Sequence, residues 1–169
     1  MQARAINWTI MRCEGFNVHR RAPKEQRSQF SPGSYRAFAV AEYLTAEDYL
    51  CAQQARTLVA REIENVFNEI DVLVLPTRPV TAQGGEIVQR PRISEDAIPK
   101  AAVNYVSLFN VSGGPAISVP CGFDAAGLPI GLQIAGKALD EAAVLRIADA
   151  YQRRTSWHLR RPAVGEPFR

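Results

Sequence analysis

Apolar residues recur at intervals of three and four along most of the chain, and this spacing predicts helices. We expect them over residues 5–17, from Ser31-Pro32, from Thr45 to about residue 70, over residues 100–110, and from Asp140 to about Thr155. Thr45 and Asp48 have the spacing of a capping box, so the longest helix is expected to begin there.

The hydrophobic period changes after the longest helix. Residues 72–75 form an uninterrupted Val and Leu run that ends at Pro76, which predicts a strand buried on both faces and half of a βαβ unit. Residues 116–123 and 130–135 predict two further strands, and the turn between them makes a hairpin. The long connection over residues 76–97 is expected either to have a functional role or to cover another part of the protein.

These elements predict an α/β layered domain with a small mixed sheet. A strand buried on both faces needs further strands and helices around it, yet only three strands are evident. The sequence therefore indicates that these strands are part of a larger sheet that has been truncated. Such a cut leaves an apolar edge exposed, and exposed edges favour association. We therefore expect a homo-oligomer.

Composition and charge are those of an ordinary soluble globular chain. The 169 residues are 47% hydrophobic and 22% charged, with a net charge of +3. The basic residues are spread along the chain, which is typical of solvated surface and argues against a nucleic-acid partner. No apolar run approaches the ~20 residues needed to span a membrane, and the N-terminus has no secretory signal, so we expect no membrane association and a cytoplasmic location.

Metal and cofactor chemistry has little support in the sequence. Cys13, Cys51 and Cys121 lack metal-ligand or disulfide spacing, and we expect buried or idle thiols. His19 and His158 belong to no metal-binding motif, and no glycine-rich phosphate loop is present. We therefore expect neither a metal nor a cofactor.

Ser112 is the serine that the sequence offers as a nucleophile, because it precedes Gly113 and Gly114. A serine needs a base within hydrogen-bond reach, and neither histidine is close to it along the chain. The three residues are interpreted as the turn between a helix and a strand, and no catalytic residue is assigned.

Several blocks nevertheless occur together in a distinctive order. They are residues 71–79 (DVLVLPTRP), 110–123 (NVSGGPAISVPCGF), 127–136 (GLPIGLQIAG) and 155–158 (TSWH). In combination they resemble the C-terminal end of the amidase-signature family, one member of which is the glutamine-hydrolysing subunit of glutamyl-tRNA(Gln) amidotransferase. The resemblance covers about residues 14–162. It implies that residues 1–169 are a C-terminal portion of the family's α/β/α domain, with residues 163–169 a frayed tail.

The resemblance also implies what the chain lacks. Family members cleave C–N amide bonds through two serines, one in a cis peptide, and a lysine, within a Gly-Ser-rich stretch. This sequence has no counterpart of that stretch, and its lysines are only Lys24, Lys100 and Lys137. We therefore expect an amidase portion that is inactive alone, or alternatively a non-catalytic subunit that completes a separate catalytic chain, or a fragment like the tRNA amidotransferase subunit.

Five residues are implied to border the pocket for a small amide substrate. They are Thr77, Val103, Ser107, Phe109 and Asn110. Val103 stands where the tRNA amidotransferase subunit has an Asp that holds the amino group of glutamine, which favours a more apolar amide here. The alternative is that Val103, Ser107 and Phe109 are plain core residues.

Overall fold

The structure is a computed structural model that describes residues 3–20, 29–82 and 105–161. The helices are α1 (Ala3–His19), α2 (Pro32–Ala39), α3 (Ala46–Val66), α4 (Val106–Ser112) and α5 (Glu141–Arg154), and the strands are β1 (Val72–Pro76), β2 (Ala116–Phe123) and β3 (Pro129–Gly136). Short 3-10 helices follow α2 at Val40–Tyr43 and α5 at Trp157–Leu159. The start predicted for the fourth helix and the tail beyond residue 161 lie outside the described residues.

Side-chain caps begin the helices where the sequence predicts them. The Thr45 hydroxyl accepts a hydrogen bond from the Asp48 amide at 3.1 Å, and the Thr45 amide donates to the Asp48 carboxylate at 2.8 Å, which completes the capping box of α3. Asp140 accepts from the Ala143 amide at 3.1 Å and caps α5. The predicted length of α3 is wrong, because the helix ends at Val66 and the chain turns before Ile70.

The three strands form one small sheet in the order β1-β3-β2. The α/β class and the hairpin of β2 and β3 are confirmed, although both described pairings are antiparallel rather than mixed. The prediction that β1 is buried on both faces is wrong within the described residues, because Val74 is 49% exposed. β1 lies at the edge of the sheet, and α5 packs on β3 and β2 instead.

Helices cover both faces of the sheet. On one face, Val144 and Ala148 of α5 pack against Val119 and Ile134. On the other face, Phe67 and Phe109 pack against Ala135, so α4 and the end of α3 form the opposite layer. These contacts give the three-layer α/β/α arrangement that the resemblance implies.

The core continues beyond the sheet between three helices. Ile6 and Ile10 of α1 pack against Ala52 of α3 and Val111 of α4, and the two isoleucines are buried as the helical spacing predicts. The Arg56 guanidinium donates from Nε to the Val111 carbonyl oxygen at 2.9 Å. This bond joins α3 to the C-terminal turn of α4.

Backbone segments come very close together at the end of β3. The Gly136 amide donates to the Pro115 carbonyl oxygen at 3.0 Å. A Cβ atom at Gly136 would lie 2.6 Å from Cγ2 of Val144, and one at Gly114 would lie 3.1 Å from the Gly136 carbonyl oxygen. Only a residue without a side chain fits at position 136 with α5 seated as it is.

None of the helices in the described part of the chain is long and apolar enough to cross a membrane. The three cysteines are free thiols, of which Cys51 is exposed and Cys13 and Cys121 are half-buried.

Candidate functional site

An open groove of about 870 Å³ lies where β1 ends. Thr77, Ser118, Gly131 and Tyr105 are among the residues that line it. The groove follows from the fold, because β3 lies between β1 and β2, and the segment after β1 bonds to Gly131 through Thr77 and to Asp124 of the β2–β3 turn through Thr81. Its volume is within the range of pockets that hold small organic ligands.

Two hydroxyl groups meet on the floor of this groove. The Thr77 amide donates to the Gly131 carbonyl oxygen at 2.8 Å, which continues the β1–β3 ladder beyond Pro76. The hydroxyl oxygens of Thr77 and Ser118 are then 2.6 Å apart. One hydroxyl donates to the other, so one hydroxyl hydrogen and several lone pairs of this hydroxyl pair remain for a ligand.

The segment that borders the groove is anchored at its far end. The Thr81 hydroxyl donates to one oxygen of the Asp124 carboxylate at 2.6 Å. The other oxygen accepts from the amides of Ala126 and Leu128, at 2.9 and 2.8 Å, and so holds the β2–β3 turn. The Thr81 hydrogen bond, with those from Leu128 and Ala126, lowers the pKa of the Asp124 carboxyl group below its usual value.

The remaining lining combines apolar surface with one cation. Pro79, Val80 and Ile130 supply apolar surface, and the side chain of Arg78 is exposed at the groove. Among the lining residues that the structure describes, Arg78 is the only one with a permanent charge. The groove therefore offers the hydroxyl pair of Thr77 and Ser118 and one guanidinium on a largely apolar surface, with the hydroxyls of Thr81 and Tyr105 at other points of its lining.

Comparison with known proteins identifies the family. A family model described as Amidase matches residues 3–145, which is most of the chain. The chain belongs to the amidase family. The groove therefore lies on part of an amidase-signature domain.

Relatives in two organisms agree with this membership. The chain is 47% identical over 118 residues to the A-type subunit of glutamyl-tRNA(Gln) amidotransferase from Nostoc sp., covering 69% of this chain and 23% of that protein. It is 39% identical over 159 residues to the protein of the same name from Chloroflexus aggregans, covering 89% of this chain and 31% of the other. The chain therefore spans about a quarter to a third of the length of these relatives.

Similar folds occur in solved amidase structures. A structure described as an amidase superposes with a TM-score of 0.74 at 24% identity, covering 91% of this chain and 36% of that one. The 6-aminohexanoate cyclic dimer hydrolase gives a TM-score of 0.62 at 25% identity, covering 77% of this chain and 29% of the hydrolase. The observed fold is thus part of the amidase-signature fold.

The residues that the resemblance places around the pocket do not all meet at the groove. Thr77 lines it. Ser107 and Phe109 are 1% and 4% exposed, and Phe109 packs in the core against Phe67. Asn110 is exposed in a different depression, beside α1. Val103 lies outside the described residues.

Ser118, Gly131 and Arg78 are groove residues that the sequence did not single out. Ser118 and Gly131 are recognisable only when the strand order is known, because they lie on different strands and Thr77 follows a third. Arg78 could have been noticed as the charged residue between Thr77 and Pro79, in a segment already expected to border the pocket.

No activated nucleophile is found in the parts of the chain that the structure describes. Ser112 is the last residue of α4, and its hydroxyl points back to the Phe109 carbonyl oxygen at 3.5 Å. The Cys121 thiol donates to the Ile130 carbonyl oxygen at 3.5 Å, and burial raises the pKa of this thiol, which disfavours the reactive thiolate.

The two histidines have no metal-binding surroundings either. Within residues 3–20, 29–82 and 105–161, no group of three His, Cys, Asp or Glu side chains could hold a metal ion. The His19 ring packs against Phe30 and Phe38, with ring centroids 5.0 and 5.2 Å away, which is an aromatic packing environment.

Proposed function

We propose that this chain is a C-terminal portion of an amidase and forms one wall of its substrate site. The whole protein would cleave a C–N amide bond through an acyl-serine intermediate, as the family resemblance implies. The observation that carries the proposal is the hydroxyl pair of Thr77 and Ser118, which lies exposed in a groove of ligand size. An amide removed from water needs hydrogen bonds, and this pair supplies them.

We further propose that the chain does not catalyse hydrolysis alone. The sequence has no counterpart of the Gly-Ser-rich stretch that carries the family's serines and lysine. The hydroxyls of the groove can form hydrogen bonds with a substrate, but a threonine or serine hydroxyl attacks an amide carbonyl only when a base activates it. No described base lies within hydrogen-bond reach of Thr77 or Ser118.

Ammonia release tests this second statement directly. The purified chain is incubated with benzamide and with glutamine, and is also treated with a fluorophosphonate that labels activated serines. We expect neither sustained ammonia release nor stoichiometric labelling. The variants Ser112→Ala and Ser118→Ala identify the source of any activity, and turnover that either variant abolishes would show that the chain is itself an enzyme.

The nature of the amide is a separate proposal. The two tRNA amidotransferase relatives favour glutamine as the substrate of the whole protein. Val103, at the place where the resemblance puts an amino-binding Asp, favours an amide without an amino group. We favour the apolar amide. Tighter binding of glutamine than of glutaramic acid, which lacks only the amino group, by the native chain would reverse this choice, and Val103→Asp is expected to strengthen glutamine binding.

A second candidate function is that of a non-catalytic subunit. The exposure of Val74 on the edge strand β1 supports it, because an apolar edge invites a strand from a partner. Affinity purification of the tagged chain from its native source would then recover a second chain that carries the Gly-Ser-rich stretch. Recovery of the tagged chain without such a chain would count against this alternative.

A further inference from the structure

We propose that the groove takes an amide with an apolar body and a carboxylate group, and that Arg78 binds the carboxylate. This inference rests on the proposed function and deepens it by naming a chemical class of substrate. It makes Arg78 a specificity-determining residue, distinct from the hydroxyl pair that would meet the amide.

The first support is that the charge of Arg78 is not neutralised within the part of the chain that the structure describes. Its guanidinium has neither an ion pair nor a hydrogen bond with any described residue. The carboxylate on the neighbouring turn, that of Asp124, is instead occupied by Thr81 and by two backbone amides. Among the described residues, none therefore competes with a ligand for the five donors of the guanidinium.

The second support is the position of the backbone around Arg78. Thr77 is held by its amide bond to Gly131, and Thr81 is held by Asp124, so the short segment that carries Arg78 is fixed on both sides. A residue on a segment fixed in this way loses less freedom when it binds a ligand, which strengthens binding. Arg78 and the hydroxyl pair line the same groove.

The third support is the chemistry of the surrounding surface. Pro79, Val80 and Ile130 favour an apolar body, and the neutral hydroxyl pair favours an amide over a charged group. A single planar guanidinium matches the two oxygens of a carboxylate in a bidentate arrangement. Phosphate sites typically add a helix N-terminus or further cations, and the described groove lining contains no second cation.

Two probes that differ in one group test this inference. N-benzoylglycine carries an apolar ring, an amide and a carboxylate, and N-benzoylglycinamide replaces only the carboxylate by a neutral amide. Each is titrated into the full ¹⁵N-labelled chain, and binding is followed at the backbone amides of Thr77 and Gly131. We expect the acid to bind about tenfold more tightly than the neutral probe, with a preference that weakens as salt is added.

Substitutions of exposed arginines supply the matched variants. Arg78→Gln should remove the preference for the acid and leave binding of the neutral probe unchanged, whereas Arg78→Lys should retain part of the preference. Arg61 lies exposed on α3, and Arg61→Gln makes the same change in charge away from the groove, so it should behave like the native chain.

Each remaining outcome has a definite meaning. An unchanged preference in Arg78→Gln, or an equal loss in Arg61→Gln, overturns the assignment of Arg78. Inorganic phosphate that competes as well as the acid overturns the assignment to a carboxylate. Binding of both probes with equal affinity rejects this inference and leaves the proposed function standing, whereas no perturbation of the groove by either probe rejects both.

Discussion

The hydroxyl oxygens of Thr77 and Ser118 lie 2.6 Å apart although the strands beside them, β1 and β2, do not pair with each other. The strand between them is β3, and its residue nearest to both hydroxyls is Gly131. Because glycine has no side chain, the two hydroxyls reach each other over the central strand. The groove floor is therefore polar at this point and apolar around it.

Gly131→Ala tests how much this contact matters. An added Cβ atom would lie 2.7 Å from the Ser118 hydroxyl oxygen and 2.8 Å from that of Thr77, so the pair must separate. We expect a loss of about 1–3 kcal/mol in the free energy of unfolding, measured by urea denaturation. In the matched control, Gly33→Ala on the exposed helix α2, the new atom would lie 3.9 Å from the Ser31 hydroxyl oxygen, which is an ordinary contact, and stability should stay the same or rise. Equal effects of the two substitutions would contradict this account.

Acidification should weaken the anchor between Thr81 and Asp124. The hydrogen bond from Thr81 is the largest cause that lowers the pKa of Asp124 below its usual 3.8. Because the folded-state pKa lies below the unfolded one, the ionised carboxylate stabilises the fold above pH 3.8. This stabilisation is lost as the pH falls through the lower folded-state value.

Urea midpoints measured from pH 6 downwards check this dependence. The native chain should lose stability in the acid range more steeply than Asp124→Asn, which has no carboxyl group to titrate at this position. Thr81→Val removes the main donor and should also flatten the curve. A slope that neither substitution changes would show that other groups control the acid response.

Arg56 is expected to stabilise the packing of α4 on α3. Its Nε donates to the Val111 carbonyl oxygen at 2.9 Å, in the last turn of α4, where a cation also suits the helix dipole. Arg56→Met keeps most of the apolar stem and should cost about 1 kcal/mol in thermal or urea unfolding. Arg61→Met, on the exposed surface of the same helix, should change stability by much less, and a similar loss in both variants would refute a specific role for the bond.

Self-association through β1 is a further expectation, because the sequence predicts an oligomer and Val74 is half exposed on the edge strand. Val74→Lys places a charge on that edge and should shift the chain towards monomer in sedimentation velocity experiments. Val18 is 71% exposed on α1, so Val18→Lys makes the same change on a helix and should have no effect. A native chain that remains monomeric at high concentration would exclude this mode of association.

The sequence predicts those elements whose ends are set by local chemistry. Thr45 and Asp140 cap their helices because a side-chain oxygen reaches an amide three residues later, which is a short-range interaction. The burial of β1 was not predictable in the same way, because an apolar run does not reveal which strands and helices will cover it. The exposure of Val74 depends on the neighbours that β1 has, not on its own residues.

The candidate groove was predictable only in part, because it also depends on contacts between residues that are far apart in the sequence. The resemblance predicts that Thr77 borders the substrate pocket; Thr77 lines the groove, and the identity of the groove with that pocket stays a prediction. Its partner Ser118 lies 41 residues away, and the two meet across β3 because that strand has Gly131 at the point of contact. Strand order is a property of the whole sheet, so no local pattern around Ser118 could have predicted the contact.

The tight fit of Gly136 against Val144 also limits how this part of the fold can change. Helix α5 rests on the last residue of β3 with no room for even one methyl group. A side chain could be accommodated at position 136 only after Val144 had been replaced by a smaller residue. Substitutions at the two positions should therefore compensate each other in volume, and a library intended to diversify this domain must vary them as a pair.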